Sequence, residues 1–177
     1  MRRRAGSRSL RTLAGVALLV GASWGACLRL NLTGSLPVGL YVASRPVVAR
    51  GTLVLLCLPP WAAALARRRG YVSGGGRCAA GTLPVGKPVL AIAGDTVCVT
   101  PSGLRVHGEL VLNSRALLRD RRGRILPRPV FGSYVVRTGT VWVVSSHSAL
   151  SFDSRYFGPV STGEIRSTIR PTRATGG

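Results

Sequence analysis

The sequence predicts a mainly β domain preceded by a single N-terminal transmembrane helix. Three observations carry this expectation. An uncharged apolar run of 17 residues spans Thr12 to Leu28, short apolar or alternating segments punctuated by glycine and proline follow Asn31, and only one later segment carries helix start and stop signals.

Residues 1–11 (MRRRAGSRSLR) form a basic tail. Its five arginines precede the run at 12–28, so the positive-inside rule keeps this tail in the cytoplasm and exports the rest, which in a bacterium places residues 31–177 in the periplasm beside the inner membrane. A cleavable signal peptide competes, because Ala22-Ser-Trp-Gly-Ala26 holds small residues. Trp24 interrupts that pattern and the run is long for a signal core, which favours a retained anchor.

Strands are expected at 40–43, 52–58, 89–92, 96–100, 103–107, 133–137 and 141–145, with Gly94-Asp95 turning between two of them. A helix is expected over 61–69, because Pro59-Pro60 stands at its start and Gly70 just past its end. Residues 73–76 and 120–128 read as loops, the second basic. No internal repeat and no second apolar span occur.

The formal net charge of +20 invites a nucleic-acid or anionic-membrane partner. The arginines are scattered, only 6% of residues are aromatic, and no zinc-finger or helix-turn-helix pattern occurs, so no specific nucleic acid is expected. The composition of the charge is more informative than its size. Of 25 basic residues one is lysine, Lys87, and the other 24 are arginine. Arginine cannot give up its proton in a protein, whereas a desolvated lysine can. The four cysteines form no CxxC pair, so a zinc site is not expected, and no cofactor is implied. Outside the cytoplasm a disulfide is permitted, and Cys57 and Cys78, which bracket one segment, are the expected pair.

Three patches differ from scaffold. In Asn31-Leu-Thr-Gly-Ser35-Leu-Pro-Val-Gly-Leu-Tyr41, glycine and proline shape a turn that can present a hydroxyl just past the membrane exit. In Leu83-Pro-Val-Gly-Lys87-Pro, the only lysine opens an apolar strand, where burial disfavours its charged form. A neutral amine beside a serine can take the hydroxyl proton without a histidine. The third patch, 145–160, holds Ser151-Phe-Asp153-Ser-Arg155 and concentrates hydroxyls, an ion-pair candidate and aromatics. A Ser-His-Asp arrangement of His147 with Asp153 is the competing chemistry, and the lysine pattern accounts for more of the chain.

These patches, in this order, resemble the type I signal peptidase superfamily (serine peptidase family S26) across nearly the whole chain. Within it, Asn31-Leu-Thr-Gly-Ser35-Leu-Pro-Val-Gly-Leu-Tyr41, Arg69-Gly-Tyr…Cys78 and Phe152-Asp-Ser-Arg-Tyr-Phe-Gly-Pro-Val160 look most like the TraF-type conjugative transfer signal peptidases. The resemblance implies a signal-peptidase-like β-rich catalytic domain over 31–177 and a Ser/Lys endopeptidase that matures pilin or other exported precursors at the membrane surface. Its expected partners are a protein substrate and inner-membrane lipid. By position it implies a catalytic set of Ser35 as nucleophile, Lys87 as general base and Asp153 as the functionally important late acidic residue. Ser151 would orient the amine, Thr33 would supply an oxyanion-hole hydroxyl with the Ser35 amide, and Arg155 would hold Asp153. Two departures stand out: Pro88 follows the lysine where arginine is common in the family, and Ala93 precedes Gly94-Asp95 where proline is common. A housekeeping leader peptidase shares the chemistry. A basic membrane-tethered binding protein and a self-cleaving repressor-type peptidase are the remaining rivals.

Overall fold

Short segments of period-two alternation fold here into two antiparallel sheets. The computed structural model describes residues 27–31, 33–127 and 130–172. The expected anchor over 12–28 lies outside the described residues except at its end, where Leu28 already belongs to a strand. Among the described residues no helix is long and apolar enough to cross a membrane.

The larger sheet begins with β1 (Leu28–Asn31), β2 (Gly39–Ser44), β3 (Leu53–Leu56) and β4 (Val85–Ala91). It is completed by β9 (Thr140–Val143), β10 (Val160–Ser161) and β11 (Ile165–Pro171), in the order β1-β2-β11-β3-β4-β9-β10. The smaller sheet holds β5 (Thr96–Thr100), β6 (Gly103–Val106), β7 (Glu109–Leu110) and β8 (Gly132–Val135), in the order β7-β6-β5-β8. Among the described residues the α-helices include α1 (Pro60–Arg69) and the single turn α2 (Ser154–Phe157). The architecture is mainly β with few helices, as expected.

Helix α1 starts where proline costs no hydrogen bond and ends at Gly70, whose φ of 71° is open to glycine and whose N–H caps Ala66 and Arg67 carbonyls. Its buried face is Ala62, Ala63 and Ala66, small enough to lie close on Val54, Leu56, Val89, Val141 and Val143 of the larger sheet. A second cluster of Ala91, Val97, Val99, Leu104, Val106, Trp142 and Val144 joins the two sheets. Asp95, at the turn between β4 and β5, is buried and bonded by Arg50 and by the Ile92 amide. The Arg50 guanidinium holds its carboxyl down at about 2.

Four strands were not expected: β1, β7, β10 and β11. The last lies between β2 and β3 although it reads Ile-Arg-Ser-Thr-Ile-Arg-Pro: a register shift between Ile165 and Ser167 puts Ile165 and Thr168 on one face, while Ile169 packs with Leu36 and Tyr41 on the other. Several expected boundaries shift by a residue or more, and two of the shifts bear on the site. Strand β4 starts at Val85, so Lys87 lies inside it rather than opening it, and β9 stops at Val143, leaving Ser145 just beyond. Pro88 is tolerated there because it immediately precedes the first β4–β9 pair, Val89–Val143, beside a register shift.

Cys57 and Cys78 are disulfide-bonded with Cα atoms 5.3 Å apart. The bond closes the excursion from β3 through α1 to β4, a sequence separation of 21 residues. Replacing both cysteines by serine is expected to lower the unfolding free energy by about 3 kcal/mol, read from the denaturant midpoint.

Candidate active site

Ser35 sits in the connection from β1 to β2, and one side chain shapes that turn. Asn31 Nδ2 donates to the carbonyls of Thr33, Leu36 and Pro37 at 3.1, 3.1 and 3.0 Å. Its Oδ1 accepts from the Thr33 amide at 3.2 Å and the Thr33 hydroxyl at 2.7 Å. Tyr41 donates its hydroxyl to the Pro37 carbonyl at 2.8 Å. Leu36 is buried with Tyr41 and Ile169, which plugs the turn into the sheet. Gly86 makes room for it: a Cβ there would come within 2.9 Å of Leu36 Cδ1. Glycine thus stands beside the lysine because the leucine beside the serine needs its space.

Lys87, third residue of β4, is 4% exposed. Its Nζ donates to Ser35 Oγ at 2.5 Å and to Ser151 Oγ at 2.7 Å. The two hydroxyls are 3.3 Å apart. Burial lowers the ammonium to about 8, with Asp153 raising it and Arg155 lowering it further. At neutral pH roughly a tenth of such an amine is uncharged, enough to accept a hydroxyl proton when a substrate is in place.

Asp153 and Arg155 are 0% and 1% exposed. Arg155 Nε and Nη2 grip the two carboxylate oxygens at 2.8 Å each. The same guanidinium donates to the carbonyls of Asn113 (2.6 Å), Ala149 (3.1 Å), Ser148 (3.2 Å) and Ser151 (2.9 Å). Asp153 also accepts from the amide of Arg155, capping α2, and from the amide of Ser145. His147 is exposed, and Asp153 spends its oxygens on Arg155 and the Ser145 amide, so the competing Ser-His-Asp arrangement is not assembled.

The structure therefore brings Ser35, Lys87 and Ser151 into one hydrogen-bonded group, with Asp153 and Arg155 behind it. Thr33 is exposed and its hydroxyl is engaged by Asn31 rather than by the Ser35 side chain. Sequence reasoning gave no separate role to two residues that hold the turn, Asn31 and Ser145. The hydroxyl of Ser145 donates to the Ser35 carbonyl at 2.6 Å. An asparagine opening a Gly/Pro turn was a usable signal for the first; nothing local distinguished Ser145 from its neighbouring serines. Among the described residues no cluster of three metal-ligating side chains occurs.

A buried lysine on the sheet thus touches a turn serine, and similarity to known proteins gives the class of the chain. The family model for signal peptidase, peptidase S26, matches residues 11–172, and the chain belongs to that family. Its relatives are narrower in kind. The plasmid transfer protein TraF of Escherichia coli is 43% identical over 163 residues, covering 90% of each chain. A probable conjugal transfer protein TraF of Sinorhizobium fredii is 40% identical over 93% of this chain and 88% of its own. The conjugal transfer protein TraF of Agrobacterium tumefaciens is 40% identical over 93% and 94%. A crystal structure of a signal peptidase I from Enterococcus faecalis overlays with a TM-score of 0.39 at 17% identity, covering 71% of this chain and 98% of that one.

Two outcomes follow from the geometry. The folded state binds fewer protons at Lys87 than the unfolded chain between about pH 8 and 10.5, so stability rises with pH across that window, and below pH 8 the full cost of about 3 kcal/mol is present. Denaturant unfolding across that range should show this slope in the wild type and lose it in Lys87→Met. Arg155→Met strands Asp153 as a buried unpaired charge and should cost about 3–5 kcal/mol in the same assay.

Proposed function

We propose that the chain is a serine endopeptidase in which Ser35 is the nucleophile and Lys87 the general base, acting on exported precursors, and in particular maturing a propilin for conjugative transfer. The contact of buried Lys87 Nζ with Ser35 Oγ at 2.5 Å carries the reading. Membership of the peptidase S26 family and the plasmid transfer relatives support its substrate side.

In the proposed reaction the neutral amine keeps one N–H on Ser151 Oγ and turns its lone pair to the Ser35 hydroxyl. It takes the proton as Ser35 Oγ attacks the scissile carbonyl. The oxyanion would be met by the Ser35 amide and by the Thr33 hydroxyl, which must first exchange its bond to Asn31. The ammonium then protonates the leaving amine, and water resolves the ester. An incoming amine in place of water would give a ligated or cyclic product. Asp153 touches neither reacting group; its role is to hold the frame with Arg155.

The apolar run at 12–28 would tether the domain to the inner membrane with the site in the periplasm, where exported precursors emerge. Exposed Leu28, at the end of that run, and Leu30 lie on β1 opposite Val42 and Leu40 of β2, and this exposed apolar face suits contact with lipid. The substrate would lie extended along a strand edge.

Co-expression with a small pilin precursor, read by intact mass, tests the reading. Wild type should trim the precursor, and Ser35→Ala and Lys87→Arg, both folded, should not. The loss of one further water would identify cyclisation. Normal processing by Lys87→Arg would remove the general-base assignment, since a guanidinium cannot deprotonate. The rate should rise with pH along a limb centred near 8.

A further inference from the structure

Ser145 is fully buried, two residues beyond the end of β9. A buried hydroxyl needs an acceptor, and several carbonyls could serve. This one uses the main-chain oxygen of Ser35, at 2.6 Å, across 110 residues of sequence. Its own amide donates to Asp153 Oδ2 at 3.1 Å. Asp153 is held by Arg155, and Arg155 also donates to the Ser151 carbonyl at 2.9 Å. Ser151 Oγ in turn receives Lys87 Nζ. Two arms therefore leave one ion pair. One runs through Ser151 to the lysine, the other through Ser145 to the serine turn.

We propose that Ser145 is a positioning residue that fixes the Ser35–Leu36 peptide relative to the Asp153–Arg155 pair and so sets the direction in which Ser35 Oγ faces Lys87. This rests on the Ser/Lys reading above. The Asn31 bonds shape the turn from within, whereas the Ser145 bond ties it to the element that also carries Ser151. With the carbonyl released, the peptide turns about the ψ angle of Ser35, and the hydroxyl moves against a lysine that stays where it was. A misplacement of about 1 Å at a reacting atom costs on the order of a hundredfold in rate.

The test compares two variants of nearly equal shape, Ser145→Thr and Ser145→Val, in the full chain with purified pilin precursor as substrate. Threonine keeps the hydroxyl and valine replaces it by a methyl. Ser145→Thr should stay within a few-fold of wild-type kcat, and Ser145→Val should lose roughly ten- to a hundredfold. KM should change less than about twofold, because no substrate contact is removed. The acid limb of the rate profile should remain where it is in the wild type, since the burial of Lys87 and its charged neighbours Asp153 and Arg155, which set its titration, are left in place. Equal kcat for the two variants would overturn the proposal, as would a loss in Ser145→Val that moves the acid limb. Ser35→Ala serves as the separate control. If it still cleaves, the Ser/Lys reading falls and takes this inference with it; if it is inactive while Ser145→Val works normally, only this inference falls.

Discussion

The buried pair of Asp153 and Arg155 is the constraint from which the rest of the site is hung. Taking both charges out of water is expensive, and mutual attraction alone does not repay it. Here the remaining guanidinium protons go to main-chain carbonyls of Asn113, Ser148, Ala149 and Ser151. The remaining carboxylate capacity goes to the amides of Ser145 and Arg155. The pair thus binds the segment after β7, the loop after β9 and the start of α2 into one unit. Its energetic return is specificity of position: three irregular segments that could each drift are referred to a single planar group.

That rigidity matters because Lys87 is held in a contest it narrowly survives. Desolvation pushes its proton off, while the negative charge of Asp153 pulls the other way and Arg155 opposes Asp153. An unpaired carboxylate in the same place would stabilise the ammonium and remove the base from use at neutral pH. Neutralising Asp153 with an arginine that cannot deprotonate leaves burial as the dominant influence. The nearly exclusive use of arginine elsewhere in the chain fits the same logic, since every other cation is one whose charge is permanent.

How much of this was legible in the sequence depended on how local the cause was. Helix α1 was readable because its start and stop are written in adjacent residues, Pro60 and Gly70. Strand β5 was readable from Thr96-Val-Cys-Val-Thr100, where the alternation is plain. Strand β11 was not, because two arginines, a serine and a threonine mask a strand whose burial is decided by neighbours over a hundred residues away in sequence. The start of β4 was placed late because Gly86 and Pro88 look like punctuation, although Gly86 is there to admit Leu36. In the site, Ser35, Lys87, Ser151, Asp153 and Arg155 stood out through residue type and order, and the resemblance supplied their expected roles. Asn31 was readable only as an asparagine opening a Gly/Pro turn, without its role, and Ser145 not at all, since a hydroxyl that holds a distant backbone carbonyl leaves no pattern in composition or spacing. Thr33 was legible in position, yet its hydroxyl partner, Asn31, belongs to the folded turn alone.

The use of a single lysine has a further consequence for how the molecule can be observed. Apart from the chain's own N-terminus, the protein carries one primary amine, and it is the buried one at Ser35 and Ser151. Lysine labelled with nitrogen-15 at Nζ would therefore contribute one side-chain nitrogen signal, belonging to the centre of the site and crowded by no surface lysine. The arginines carry the charge, and the lone lysine amine is left as an unobstructed witness to its own protonation.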